Sequence, residues 1–340
     1  MDKIGIGIIG AGAVGYEHIQ NYKTSEYADV LAVVTRTEAH AKQAAEKFGI
    51  ESWYTDYKEL LKRDDIVAVS ICTPNYLHAQ QVIDASKAGK HIICEKPLAT
   101  TLEELDKMIQ AAREANVFLM NPSHQRFVPV LENIKSVLDL LGTITSVRYR
   151  FGHEGPYTHW HPISDEKWFF DMDKSRGGVL LDLGPHALDL LDWYFGAVEK
   201  VQGAIIHTFE KATKVEDTAI LLLKFKSGLI AELEASWVSH PPFNEFQIYG
   251  TKGAIQVDIW ERSPIQFMPK KLKRNKRVKE LSFDGVLSQI AMSKQKMINY
   301  FVDCVRNNKE PEMTGETGRR ILQVILAGYE SARTNSPVVL

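Results

Sequence analysis

The chain has 340 residues, 41 Lys+Arg against 43 Asp+Glu for a formal charge of −2, and is 44% hydrophobic and 25% charged. That is the composition of a globular protein of about two domains, and so even a charge balance supplies no overall field to draw it onto nucleic acid or an anionic membrane. No apolar run approaches the roughly 18 residues that span a bilayer, strand-like residues start at Lys3 with no room for a signal peptide, and Cys72, Cys94 and Cys304 are too scattered for a disulfide framework. A cytoplasmic protein with reduced thiols is expected.

From Lys3 to about Asn121, short β-branched runs alternate with helical stretches: IGIGIIG, VLAVVT, IVAVSIC, HIIC and VFLM. Strand and helix alternating in this way predict a parallel sheet. Thr101 and Glu104 form an S/T-x-x-E capping box before LEELDKMIQAARE, which predicts a helix there. Beyond residue 122 the pattern changes. An amphipathic stretch over 128–140 precedes long alternating segments, TITSVRYRFG, KVQGAIIHTF, DTAILLLKF, GLIAELEASWV and NEFQIYGTKGAIQVDI, the pattern of a large, mainly antiparallel sheet. Between the first two lie a polar, aromatic loop, 154–175, and an apolar helix over about 182–195; loops this long commonly carry function. The stretches 288–306 and 315–334 read as amphipathic helices. The expected fold is α/β: an N-terminal dinucleotide-binding domain, 1–122, then an α+β domain, 123–340, with a large, mainly antiparallel open sheet.

Gly10, Gly12 and Gly15 stand in GxGxxG spacing, after the first strand pattern and at the start of a helix that opens with Ala13 and Val14. Gly10 permits the tight turn, Gly12 lets the backbone approach a pyrophosphate, Gly15 allows close helix–strand packing, and the helix N-terminus attracts phosphate charge. The position where a dinucleotide-binding domain places an acid against the adenosine ribose, 20 residues past Gly15, is Thr35, followed by Arg36 and Thr37. An Arg beside hydroxyls suits a 2′-phosphate and favours NADP over NAD; the other reading leaves Arg36 stacked on adenine or solvated.

Cys94-Glu95-Lys96-Pro97 closes the fourth strand pattern, Thr73-Pro74-Asn75 follows the third, and Gly177-Gly178-Val-Leu-Leu-Asp182-Leu-Gly184-Pro-His186 lies before the apolar helix. With Arg126-Phe127-Val-Pro129 and the closing GYESARTNSPVVL, these resemble the Gfo/Idh/MocA oxidoreductases across nearly the whole chain. Chemically, a lysine past a strand's C-terminal edge faces the ligand crevice of an open α/β sheet and can hold a hydroxyl or donate a proton. Asp182 and His186, four apart at a helix start, can share a face, where a carboxylate fixes an imidazole tautomer; alternatively Asp182 merely caps the helix and His186 is a core histidine.

The resemblance implies a Rossmann domain and an enzyme that moves a hydride between nicotinamide C4 and a secondary hydroxyl or ketone of a sugar, inositol or related polyol. It implies His186 as general base, Lys96 as the hydroxyl-holding and proton-relaying residue, and Asp182 as their orienter. Gly10, Gly12, Ala13, Val14, Gly15, Thr35, Arg36, Thr37, Thr73, Pro74, Asn75, His78, Glu95, Lys96 and Pro97 are the expected cofactor residues, the Lys96–Pro97 bond being a candidate cis peptide. The family also holds members that keep the cofactor tightly and carry out a net non-redox reaction. A non-catalytic cofactor sensor is the other alternative, against which the intact trio Lys96, Asp182 and His186 argues.

Arg126, Tyr157, His159 and Trp168 join Lys96, Asp182 and His186 as candidate substrate contacts, Arg126 equally able to brace the two domains and the aromatic loop equally able to pack on itself or meet a neighbouring subunit. His153, His159 and His161 lack the carboxylate or second histidine pair that would complete a metal site, so no metal is expected. The run 269–280 has seven Lys or Arg without interleaved aromatics and reads as a solvated edge, or more remotely as an attractor of an anionic substrate. A sheet with helices on one face leaves the other to be covered, so a homodimer or homotetramer is expected, with a small molecule as substrate.

Overall fold

The computed structural model describes residues 3–158, 168–206, 214–259, 265–269 and 286–340. The chain forms two compact units, Met1–His124 with Lys294–Arg319, and Gln125–Ser293 with Arg320–Leu340. The first break lies close to the sequence-derived 122. The difference is at the other end, where Lys294–Arg319 joins the first unit: Lys294 pairs with Glu17 at 2.6 Å, Arg306 stacks over Tyr27, and Arg319 pairs with Asp106 at 2.6 Å.

In the first unit, β1 (Ile4–Ile9), β2 (Ala28–Val34), β3 (Ser52–Tyr54), β4 (Ala68–Ile71), β5 (His91–Cys94) and β6 (Leu119–Met120) form a six-stranded sheet in the order β3-β2-β1-β4-β5-β6, with every pair parallel. Buried on both faces, its inner strands are continuous apolar runs; β4 is buried at every position. The short half-buried β3 was not foreseen. The intervening helices are capped by side chains: Thr101, as expected, and also Thr37 and Asp56 each accept a backbone N–H in the first turn that follows. Glu104 does not return to Thr101 as a capping box would; its carboxylate takes the Thr100 hydroxyl at 3.0 Å. The strand order reverses between β1 and β4, and their C-terminal ends therefore frame the ligand crevice of such a sheet.

The second unit holds β7 (Ile144–Gly152), β8 (Val198–Ile206), β9 (Thr218–Phe225), β10 (Ile230–Ser236), β11 (Phe243–Gly250), β12 (Gly253–Asp258), β13 (Ile265–Pro269) and β14 (Val338–Val339), in the order β13-β12-β11-β7-β10-β9-β8-β14. Pairing is antiparallel except between β10 and β7. The alternation of β9 is visible in its burial: Ala219, Leu221, Leu223 and Phe225 are inside, while Leu222 is half exposed. Tyr149 stacks on Phe246 with centroids 3.7 Å apart, and Tyr194 of the helix Gly184–Phe195 meets Phe246 edge-on. The other face bears Leu222 and Ile230 beside an ion-pair ladder, Arg148–Glu232 at 3.0 Å and Arg150–Glu234 at 2.6 Å. No helix among the described residues is long and apolar enough to cross a membrane.

Candidate active site

Three glycines build the loop after β1, each for a different reason. Gly10 has φ +94°, and a Cβ on it would lie 2.8 Å from the Cys72 backbone. A Cβ on Gly15 would stand 2.1 Å from the Gly10 carbonyl oxygen. Gly12 has φ −82°, which any residue adopts, and its Cβ would meet nothing within 4 Å. The other glycines with such open surroundings, Gly49, Gly89, Gly196 and Gly228, all have positive φ. At Gly12 neither the backbone conformation nor packing against the described residues of the chain calls for a glycine. It is exposed and it caps the helix Ala13–Lys23 without a side-chain hydrogen bond, beside the exposed Ala13 and Val14. The first N–H groups of a helix have no partner within it, so this loop fits a pyrophosphate.

Beside the loop, at the end of β5, Glu95 and Lys96 are half buried, and the Lys96–Pro97 peptide is cis. Glu95 Oε2 accepts the Lys96 backbone N–H at 3.2 Å, and Oε1 lies 3.1 Å from His18 Nε2. Burial pushes the Glu95 carboxyl up, but the His18 hydrogen bond and charge and the Lys96 ammonium outweigh it and hold it at about 2. His124 is brought down to about 3 by burial, helped by Lys294. Burial also pushes the Cys72 and Cys94 thiols well up, which leaves them unreactive.

Thr73, Pro74 and Asn75 follow β4. Thr73 donates its hydroxyl to Gln81 at 2.6 Å, and Asn75 is buried. His78 is buried, with Nε2 2.8 Å from the Thr73 carbonyl and Nδ1 3.0 Å from that of Pro97. Burial lowers its proton affinity, and a neutral ring carries one N–H, so it donates to one of these two carbonyls. At the end of β2 the Thr35 hydroxyl donates to the Thr37 carbonyl at 2.9 Å, and Thr37 Oγ1 caps the next helix. Both hydroxyls thus serve their own turn, while Arg36 is exposed.

In the second unit the helical turn Val179–Asp182 passes through Leu183, itself in the right-handed helical region, into Gly184–Phe195; Asp182 and His186 are therefore one turn apart. Trp237 Nε1 donates to Asp182 Oδ2 at 3.0 Å, and His186 meets the Phe151 ring edge-on at 6.2 Å. The paired glycines before this turn have a packing cause: a Cβ on Gly178 would lie 2.0 Å from the Glu216 carbonyl, and one on Gly177 2.3 Å from the Tyr329 hydroxyl. The Glu216 carboxylate accepts the N–H groups of Gly178 and Leu180, both at 2.9 Å, and the Tyr329 hydroxyl at 2.7 Å. Burial raises its pKa.

Arg126 forms a bidentate pair with Asp189, at 2.7 and 2.8 Å, both buried. The guanidinium read as a substrate contact is committed to a carboxylate of its own unit. Tyr157 packs against Phe170 and Trp168 against Phe169, and His153 accepts the Gly155 N–H. His159, Trp160, His161 and the basic residues 270–280 lie outside the described residues. No group of three His, Cys, Asp or Glu suited to a metal occurs among the described residues.

Residues 4–122 match the family described as "Oxidoreductase family, NAD-binding Rossmann fold", and residues 134–256 match the GFO/IDH/MocA C-terminal domain. The chain is 31% identical over 265 residues to trans-1,2-dihydrobenzene-1,2-diol dehydrogenase of Xenopus tropicalis, covering 76% of this chain and 77% of that protein. It belongs to the Gfo/Idh/MocA oxidoreductase family. This Gfo/Idh/MocA chain is also 29% identical over 335 residues to myo-inositol 2-dehydrogenase of Thermotoga maritima, covering 97% and 95% of the two chains. A structure of levoglucosan dehydrogenase in complex with NADH and L-sorbose matches it with a TM-score of 0.89 at 25% identity, over 100% of this chain and 99% of that one.

Sequence reasoning about this Gfo/Idh/MocA member missed His18, Glu216 and Trp237, which hold motif residues from 77, 38 and 55 positions away, and Ser70, which sits behind His18. Nothing local marks them. His18, at the third position after Gly15 in the same helix, had one available signal: it lies one helical turn beyond Gly15, on the buried side of the phosphate-loop helix.

Proposed function

We propose that this NAD(P)-dependent oxidoreductase interconverts a secondary hydroxyl and the corresponding ketone on a sugar, inositol or related polyol. The observation that carries the reading is Gly12, a glycine that only a ligand requires, in the same unit as the Lys96 strand end. The names of the relatives, dehydrogenases of inositol and of a cyclic diol, support the substrate class.

The nicotinamide, when bound, supplies the hydride acceptor or donor at C4. The remaining tasks fall to this chain. In the oxidative direction His186 accepts the hydroxyl proton at a ring nitrogen, and Asp182, itself held by Trp237, orients it. The Lys96 ammonium is the group to hold a substrate hydroxyl oxygen by hydrogen bonding and to stabilise charge that develops on it. Proton and hydride leave one carbinol centre, and a ketone remains.

NADP is the cofactor we favour. No carboxylate stands at Thr35 to repel a 2′-phosphate, and the exposed Arg36 offers it a planar pair of donors. The Thr35 proton is used within its own turn, whereas Thr37 Oγ1 accepts the cap hydrogen bond and keeps its proton to donate to the phosphate. Self-association is proposed through the outer sheet face around Leu222 and Ile230. Titration of the protein with NADPH and NADH by tryptophan quenching, followed by a polyol screen at 340 nm, tests the reading. Turnover abolished by Lys96→Ala and tighter NADPH binding weakened by Arg36→Ala are expected. Tighter NADH binding refutes the cofactor preference, and absence of reduction at 340 nm with any polyol refutes the reaction.

A further inference from the structure

We propose that His18 is a positioning residue for Lys96, acting through the Glu95 carboxylate. The inference rests on the reading of Lys96 as a substrate-holding group, and it adds a residue that no motif in the chain marked. His18 lies in the second turn of the helix Ala13–Lys23, 4% exposed. Its two ring nitrogens reach different strands: Nδ1 is 3.1 Å from Ser70 Oγ on β4, and Nε2 is 3.1 Å from Glu95 Oε1 just past β5. Ser70 Oγ is in turn 2.9 Å from the Tyr22 hydroxyl, and all of Ser70, Tyr22 and His18 are buried.

The contact to Glu95 runs one way whether the imidazole is neutral or charged: an ionised Glu95 only accepts, so His18 donates from Nε2 to Oε1. A neutral ring accepts at Nδ1 from Ser70, which accepts from Tyr22; a charged ring donates from Nδ1 to Ser70. At the far end Glu95 Oε2 accepts the backbone N–H of Lys96 at 3.2 Å. One carboxylate thereby has one oxygen fixed by the phosphate-loop helix and the other on the backbone from which Lys96 projects. Without His18, Oε1 loses its donor, the carboxylate is free to rotate about its last torsion, and the Lys96 backbone loses a fixed acceptor. The register between the phosphate loop and the lysine is set by this link, and a displacement of about 1 Å at a catalytic group costs on the order of 100-fold in rate.

Two variants separate positioning from general damage. In His18→Gln the side-chain amide nitrogen falls near the site of Nε2 and can still donate to Glu95. In His18→Asn it falls near Nδ1 and reaches Ser70 but not Glu95. The assays are kcat and KM for the best polyol, NADPH affinity, and the 13C resonance of Lys96 in protein reductively methylated with 13C-formaldehyde, identified by its loss in Lys96→Arg. Expected for His18→Asn are a 10- to 100-fold fall in kcat, KM and NADPH affinity within about threefold of wild type, and a displaced Lys96 resonance. His18→Gln should restore kcat to within about threefold and return the resonance. An unmoved Lys96 resonance in His18→Asn overturns the inference whatever the turnover, as does a His18→Gln variant no better than His18→Asn. If Lys96→Ala keeps full activity, the catalytic reading of Lys96 falls, and the resonance still decides the link to His18.

Discussion

Alanine at Gly12 should separate ligand binding from folding, and alanine at Gly15 should not. At Gly12 the backbone is extended, φ −82° and ψ −162°, and the added methyl meets no atom of the protein within 4 Å. Restricting the unfolded chain stabilises by about 0.4–1 kcal/mol, and alanine's poorer capping of the helix costs about 0.5–1 kcal/mol. The two nearly cancel, so the melting temperature of cofactor-free protein should move by less than about 2 °C. The methyl does stand where the pyrophosphate approaches, and NADPH affinity should fall about 10- to 100-fold, or 1.4–2.8 kcal/mol. At Gly15 the methyl would lie 2.1 Å from a backbone oxygen that cannot turn away. Overpacking of that kind costs about 1–3 kcal/mol, so melting should drop by several degrees along with binding. Circular dichroism melts and tryptophan-quenching titrations on both variants measure this. A drop above about 4 °C for Gly12→Ala, or unchanged NADPH affinity, would refute the reasoning.

Arg126→Met leaves the buried Asp189 carboxylate without its cation and should destabilise by about 3–5 kcal/mol, with Arg126→Met/Asp189→Leu recovering most of it in urea melts. Glu95 has its folded pKa depressed from 4.5 to about 2, so its stabilisation is full above the unfolded value and is lost as pH falls from about 4.5 to 2. That window is worth up to about 3 kcal/mol, and the acid limb of a pH–stability curve should flatten in Glu95→Gln. Trp237→Phe removes the donor to Asp182 and should lower kcat about tenfold while leaving NADPH affinity within twofold; equal losses in both would contradict the assigned role. Leu222→Lys places a charge on the outer sheet face and should shift sedimentation toward monomer, and an unchanged profile would rule out that face.

What was legible in the sequence was local. The glycine spacing, the Thr101 cap and the helix Gly315–Thr334 are written in residues within a turn or two of one another, and they appear where they were expected. NEFQIYGTKGAIQVDI was one alternating segment on paper and is two strands, because Thr251 and Lys252 turn the chain back on itself. Thr35 and Thr37 were read as phosphate partners because hydroxyls flank an arginine; the Thr35 hydroxyl donates within its own turn, which competes for its proton, while Thr37 Oγ1 accepts in a helix cap and keeps its proton. Arg126 was invisible as an ion pair because Asp189 is 63 residues away. The paired glycines Gly177 and Gly178 carried a family pattern, yet their physical cause, a close approach to Glu216 and Tyr329, needs the folded chain.

Buried carboxylates are expensive, and the groups each one secures show why the fold carries them. Glu216 secures the first N–H groups of the turn that leads to Asp182, and the Tyr329 hydroxyl completes its set of donors. Asp189, in the helix that begins beside His186, secures Arg126 and so the start of the second unit. Both keep their partners within a structural frame, and burial leaves Glu216 with a raised pKa. Glu95 is held instead with a strongly depressed pKa, by an imidazole on one oxygen and the backbone of a candidate substrate-holding lysine on the other. A carboxylate that stays ionised in a buried site keeps both oxygens as acceptors at every working pH. The Lys96 N–H therefore keeps a fixed acceptor throughout that range, and the lysine proposed to hold the substrate oxygen keeps its place.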